Sequence, residues 1–173
     1  MKVYESTAKL KSVKFLSCQA IGGGALSIDS SRATINDATF TSCSTTGYGG
    51  GAGYMYDSSV TANDVTVSHC YANNDGGGFA LRDANFKVAD LKMWNNTAGR
   101  EEGGGNDIYS SGSTSYTCHS LCDAGHYDAD CDTADAASTY QCAINCGSKC
   151  MPCLAGRASN ITGAGFETDC EVV

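Results

Sequence analysis

No stretch of about 18 apolar residues occurs, so no segment is long and apolar enough to cross a bilayer as a helix. Basic residues are scarce: 11 Lys and Arg against 19 Asp and Glu give a net charge of −8. That balance excludes nucleic acid and anionic lipid surfaces as partners, since both attract basic patches. Leu, Ile, Val and Phe number only 26 of 173 residues, a level at which many chains fail to fold. There is a single proline, so the chain is not built on Pro-rich linkers. Against disorder stand 21 glycines and 11 cysteines. So many cysteines in an acidic chain point to an oxidising compartment, hence an extracellular or cell-surface location. The length suits one domain, or two at most.

Self-similarity at a fixed period is the signature to seek first, and it is present. The triplet Gly-Gly-Gly occurs at residues 22–24, 49–51, 76–78 and 103–105, a spacing of 27 each time. A second anchor precedes each triplet: FLSC from Phe15, FTSC from Phe40, VSHC from Val67 and MWNN from Met93. Apolar columns align between the anchors: Ala8, Ala33, Val60, Phe86; Leu10, Ile35, Ala62, Val88; Val13, Ala38, Val65, Leu91; Phe15, Phe40, Val67, Met93. Polar columns lie between them, Lys9, Thr34, Thr61, Lys87 and Lys14, Thr39, Thr66, Lys92. This period-2 alternation predicts two short in-out-in strands per repeat. Corners such as Asn36-Asp37 and Asn63-Asp64 separate them. A third strand is expected after each triplet (ALSI, AGYMY, FALR).

Three short strands and three corners in about 26 residues predict an all-β fold, a right-handed parallel β-helix of about four coils over residues 1–112. No repeat buries its apolar face alone, so neighbours must stack. The glycines are expected at tight corners needing positive φ. Met1 aligns with Leu26, in mid-coil, and no signal peptide pattern precedes it. The expectation is a piece of a longer protein whose open first coil exposes unpaired strand edges and self-associates.

From residue 113 the apolar columns stop. Cys118, Cys122, Cys131, Cys142, Cys146, Cys150, Cys153 and Cys170 crowd the last part of the chain. With too few large apolar residues for a core, residues 113–173 are expected to be a disulfide-stapled module. Eight cysteines allow 105 pairings. Cys150-x-x-Cys153 with His119 and His126 has the composition of a zinc site, and disulfides are the preferred reading. Cys18, Cys43 and Cys70 share one column with Asn96. Coils about 4.8 Å apart hold parallel side chains farther apart than the ~3.8 Å a disulfide wants between Cβ atoms, so these three are expected to remain free, stacked thiols.

The anchors followed by glycine triplets resemble the repeat of the chlamydial polymorphic outer-membrane proteins over residues 1–110. The clearest unit is MWNNTAGREEGGGNDIYS, Met93 to Ser110, although Cys replaces the anchor Asn in three of four repeats. The tail segments CDAGHYDADC and CMPCLAGRASNITGAGFETDC resemble ephrin-receptor-like cysteine-rich repeats. Together the resemblances imply the ectodomain of a surface or secreted protein. Asn95 and Asn160 begin sequons, which would make it a glycoprotein.

Catalysis is the rival reading. Stacked carboxylates, Asp37, Asp64, Asp90 or Asp29, Asp57, Asp83, could serve a polysaccharide lyase or hydrolase or bind Ca²⁺. Corner residues facing water are the ordinary alternative. His69 and Cys70 are adjacent, and neighbours on a strand point to opposite faces, which opposes a dyad. Tyr48, Tyr54, Tyr56 and Tyr71 gather near one corner, as packing or as a sugar-stacking surface. The sequence thus predicts a non-enzymatic structural or adhesion protein without cofactors, whose partners are protein surfaces, glycans or its own open edge.

Overall fold

The computed structural model describes residues 1–100, 105–119, 126–128, 150–152, 157–158 and 171–172. Among them there is no helix, and every strand up to residue 119 pairs in parallel. Three sheets run along one axis. The first contains β1 (Lys2–Tyr4), β4 (Leu26–Asp29), β7 (Gly53–Tyr56), β10 (Phe79–Arg82) and β13 (Ile108–Ser111), in that order. The second holds the longer strands β2 (Thr7–Leu16), β5 (Arg32–Thr41), β8 (Ser59–Ser68) and β11 (Asn85–Trp94), extended by β14 (Ser115–His119). The third is built from two-residue strands, β3 (Gln19–Ala20), β6 (Ser44–Thr45), β9 (Tyr71–Ala72) and β12 (Thr97–Ala98). Each coil contributes one strand to each sheet, which makes the chain a parallel β-solenoid of about four turns. The parallel ladder continues past residue 112, because β14 pairs with β11.

Strand register reproduces the columns read from the sequence. Ala8 faces Ala33, Val60 and Phe86 in successive coils, and Phe15 faces Phe40, Val67 and Met93. These columns fill the interior together with Ile28, Met55 and Leu81 of the first sheet. Volumes compensate between coils. Gly53 sits in a column between Leu26 and Phe79, and the Phe79 ring covers it. Phe40, Phe79 and Phe86 meet edge to face at 5.5 and 5.7 Å, while Phe15 stacks on Phe40 at 5.0 Å. Such aromatic pairs add about 0.5–1.5 kcal/mol each beyond their burial.

Two details differ from expectation. Each pair of short strands is one ten-residue strand, kinked at a left-handed residue: Ser12, Asp37, Asp64 and Asp90 have φ of 53°, 55°, 51° and 54°. A single left-handed residue bends the strand while pairing to the next coil resumes on both sides of it. The glycine corners, moreover, are shaped by close approach as much as by φ. A Cβ on Gly51 would lie 2.2 Å from the Gly77 carbonyl oxygen, so here the coils touch backbone to backbone. In the tail, β15 (His126–Asp128) pairs antiparallel with β16 (Cys150–Pro152), and β17 (Arg157–Ala158) with β18 (Glu171–Val172).

Candidate functional site

Side chains at two corners are committed to joining the coils. At the corner between the first and second sheets, left-handed Glu5, Ser30, Asp57 and Asp83 are followed by the column Ser6, Ser31, Ser58, Ala84. The Ser6 N–H donates to Ser31 Oγ at 3.0 Å, and the Ser31 N–H to Ser58 Oγ at 3.2 Å. The Ala84 N–H donates to Thr114 Oγ1 at 3.4 Å. Each serine hydroxyl donates in turn to the carbonyl two residues back, Ser31 to Asp29 at 2.6 Å and Ser58 to Tyr56 at 2.5 Å.

The thiol column repeats this scheme after Ser17, Ser42, His69 and Asn95, all left-handed. Cys43 Sγ donates to the Thr41 carbonyl at 3.5 Å and Cys70 Sγ to the Ser68 carbonyl at 3.4 Å. Each sulfur also reaches a carbonyl of the preceding coil, Cys43 Sγ that of Phe15 at 3.5 Å and Cys70 Sγ that of Phe40 at 3.9 Å. At the last position the Cys70 N–H donates to Asn96 Oδ1 at 2.9 Å. Asn96 Nδ2 donates to the Val67 carbonyl and to Asp107 Oδ1, at 3.1 and 2.7 Å. Cys18, Cys43 and Cys70 are free. Cys43 and Cys70 are fully buried and Cys18 only partly. The hydrogen bond to Cys43, and then burial, push the Cys70 thiol well up. Burial, joined by the neighbouring Cys43, raises Cys18. These are structural thiols that do the work of serine.

Register places Asp37, Asp64 and Asp90 in one column. Their carboxylates do not converge: among the described residues no group of three metal-ligating side chains could hold an ion. Asp90 instead faces the Lys92 ammonium at 3.5 Å. The second acidic column is not a column of three. Asp29 pairs with Tyr56, and it is Ser30 that stacks with Asp57 and Asp83. The offset through this strand is 27 residues, the same as between the glycine triplets, and Asp57 lies 28 from Asp29. His69 is exposed and its Nε2 lies 3.3 Å from Asn95 Nδ2, while Cys70 points into the core, so the two form no dyad. Asn95 is exposed at its corner. Cys122, Cys131, Cys142, Cys146, Cys153, Cys170 and Asn160 lie outside the described residues. Of Cys118 and Cys150 only the strand positions are described, on β14 and β16.

Two surfaces remain open on the outside of the solenoid. One is an open groove of about 600 Å³ along the first corner, lined by Glu5, Arg32, Asp57, Asp83 and serines. The other is the outer face of the first sheet, where alternation after the glycine triplets projects Ser27 and Asp29, Tyr54 and Tyr56, Ala80 and Arg82, then Tyr109 and Ser111. The Tyr54 and Tyr56 rings lie 6.4 Å apart and within 15° of parallel, two residues apart on one strand. They form a near-parallel aromatic pair on this face. Asp29 and Arg82 flank Tyr56 in the coils on either side. Tyr48, 77% exposed, reaches the same face from the corner loop. Gly49, at φ 99°, allows that loop to ride directly against Tyr54, where a Cβ would fall 2.7 Å from Tyr54 Cβ. Tyr71 is elsewhere, on β9 of the third sheet. Tyr109 escaped the sequence reading, and Asp29 entered it only as part of an acidic column, although the two-residue alternation of S-I-D, Y-M-Y and A-L-R carried the signal of a shared face.

The class defined by this architecture is the parallel β-solenoid. No protein-family model, curated protein or solved structure matches the chain.

Proposed function

We propose that this chain is a non-enzymatic module of an extracellular or cell-surface protein, a β-solenoid stalk that presents its faces to other proteins or to glycans, and that its cysteine-rich tail is held by disulfides. The observation that carries the reading is how its polar groups are used. Asp75, Asp83, Asp90 and Asp107 each engage a partner within the solenoid, respectively Arg100, the Ser113 N–H, Lys92 and Asn96. The corner columns bind coil to coil. What recurs at every turn is mechanical, as in a repeat protein whose stability is a sum of neighbour contacts. The resemblance of the anchors to polymorphic outer-membrane repeats, and of the tail to ephrin-receptor-like modules, points the same way.

The serine- and carboxylate-lined groove favours a second reading, a polysaccharide lyase or hydrolase using Asp57 and Asp83 on adjacent coils. One experiment separates the two. The full chain is incubated with pectin-like and alginate-like polymers and product ends are assayed. No turnover is expected. Cleavage abolished by Asp57→Asn or Asp83→Asn would establish the enzyme instead. Protease shaving of intact source cells should release the chain's peptides; their complete protection would overturn the surface location.

A further inference from the structure

We propose that the outer face of the first sheet binds a neutral carbohydrate chain. One sugar ring lies against the exposed ring of the Tyr54–Tyr56 pair, and its hydroxyls are taken by Asp29 and Arg82. The inference rests on the stalk reading and gives the stalk a ligand.

Tyr56 offers an exposed ring, backed by the near-parallel Tyr54 ring at 6.4 Å, and an aromatic face of this kind accepts the flat C–H face of a pyranose. Tyr4 is different: Lys2 Nζ covers its ring at 5.2 Å. Beside Tyr56 stand a carboxylate and a guanidinium, one coil away on each side, about 4.8 Å. Arg82 forms no ion pair among the described residues. Among the described residues the Asp29 carboxylate accepts a hydrogen bond from the hydroxyl of Ser30 alone, at 3.0 Å. An acceptor and a planar donor thus flank an aromatic surface, the few placed polar groups that orient a ligand on an apolar floor. Down the neighbouring column large and small side chains alternate: Ser27, Tyr54, Ala80, Tyr109. Ala80 is the floor of a niche of about 20 Å³ rimmed by Tyr48, Tyr54, Tyr109, Asn74 and Asp75. That volume admits one water or one hydroxyl group, so the ligand lies along the face with a single substituent inserted.

Charge selects the class of sugar. Asp75 is paired with Arg100 and Asp29 is matched by Arg82 across Tyr56, so the site is locally balanced within a chain of net charge −8, which favours a neutral ligand over uronates, sulfated glycans and nucleotides. A protein partner would need roughly 800 Å² of complementary surface with an apolar centre. Here each strand contributes only two outward positions, and charged residues flank them. A neutral polymer of hydroxylated rings meets both conditions.

The test is calorimetric titration of the full chain with cellohexaose, xylohexaose, mannohexaose and chitohexaose, and with hexagalacturonate as the charged probe. At least one neutral probe should bind. Tyr56→Ala should weaken that binding roughly tenfold, the worth of one stacked ring, and Tyr54→Phe should preserve it. Arg82→Ala and Asp29→Asn should each weaken it several-fold. Trp94→Ala, on the second sheet, should leave it unchanged. Circular dichroism of each variant reports that the solenoid is intact. Failure of all four neutral probes overturns the proposal, as does binding that survives Tyr54→Ala with Tyr56→Ala, or tighter binding of hexagalacturonate. Binding followed by cleavage of the probe would uphold the tyrosine site and overturn the non-enzymatic reading.

Discussion

Replacing Ala84 by serine should stabilise the protein. Ala84 is 1% exposed and occupies the column of Ser6, Ser31 and Ser58. Its methyl group offers no acceptor to the Ser58 N–H, where Ser31 and Ser58 each serve the coil before them. A serine hydroxyl at residue 84 would accept from Ser58 and donate to the carbonyl two residues back, as Ser58 does to Tyr56. One satisfied hydrogen bond is worth about 0.5–1.5 kcal/mol. The usual outcome of adding a hydroxyl to a buried site without partners has the opposite sign, a loss of about 1–3 kcal/mol. Urea unfolding of the full chain, followed by the fluorescence of its single tryptophan, Trp94, reads the difference. The midpoint should rise by roughly 0.3–1 M, given the usual urea slope. Ala38→Ser is the control: it is equally buried but faces the apolar column of Val13, Val65 and Leu91, and it should lower the midpoint. If Ala84→Ser lowers the midpoint as Ala38→Ser does, the hydroxyl ladder does not clasp the coils and the reasoning fails.

Asn96→Ala removes the acceptor of the Cys70 N–H and the donor to Val67 and Asp107, and should cost roughly 3–5 kcal/mol in the same assay. A loss below about 1 kcal/mol would show that water replaces all three bonds. In alkylation followed by mass spectrometry, Cys18 should react in the folded protein, while Cys43 and Cys70 should react only on unfolding; a recovered Cys43–Cys70 disulfide would contradict the thiol ladder. Burial holds the Asp107 carboxyl above its ordinary range, and the Asn96 hydrogen bond draws it partly back. The folded chain therefore binds this proton more tightly than the unfolded one, so the group's contribution falls as pH rises through the carboxylate range. Asp107→Asn should thus gain stability at about pH 7 relative to about pH 3, and an equal effect at both would refute the buried charge.

The solenoid was legible because each coil contributes one residue to each column, so a column of apolar residues at the repeat spacing is already a statement of register. Coil length and the Phe15, Phe40, Val67, Met93 column needed no structure. The kinks were not legible: a left-handed Asp64 reads as a turn between strands, whereas it bends one strand that continues. Asp29 stacks on Tyr56, and this was legible: the glycine triplets before it and the Ala33, Val60 column after it both step by 27 residues, whereas Asp57 lies 28 away. The thiol column reads from the sequence as free, stacked thiols, with no partners assigned to them. Its hydrogen bonds follow from a pattern that was present in both corners, Ser, Cys or Asn directly after a turn residue. Tyr71 was grouped with Tyr54 by distance along the chain, while the sheets assign them to different faces.

The ladders at the corners point one way. In every rung the main chain of the earlier coil gives its N–H to a side chain of the later one, Ser6 to Ser31, Ser31 to Ser58, Cys70 to Asn96, Ala84 to Thr114. The solenoid therefore has a vector, like a zip closed from one end. During synthesis a newly emerged coil completes the one before it and waits for its own completion by the next. Damage to a column residue is felt upstream of the lesion as well as at it, since the same side chain also holds the carbonyl two residues back in its own coil. A coil transplanted from another solenoid would have to bring its own corner acceptors for the turn that precedes it, while owing none to itself.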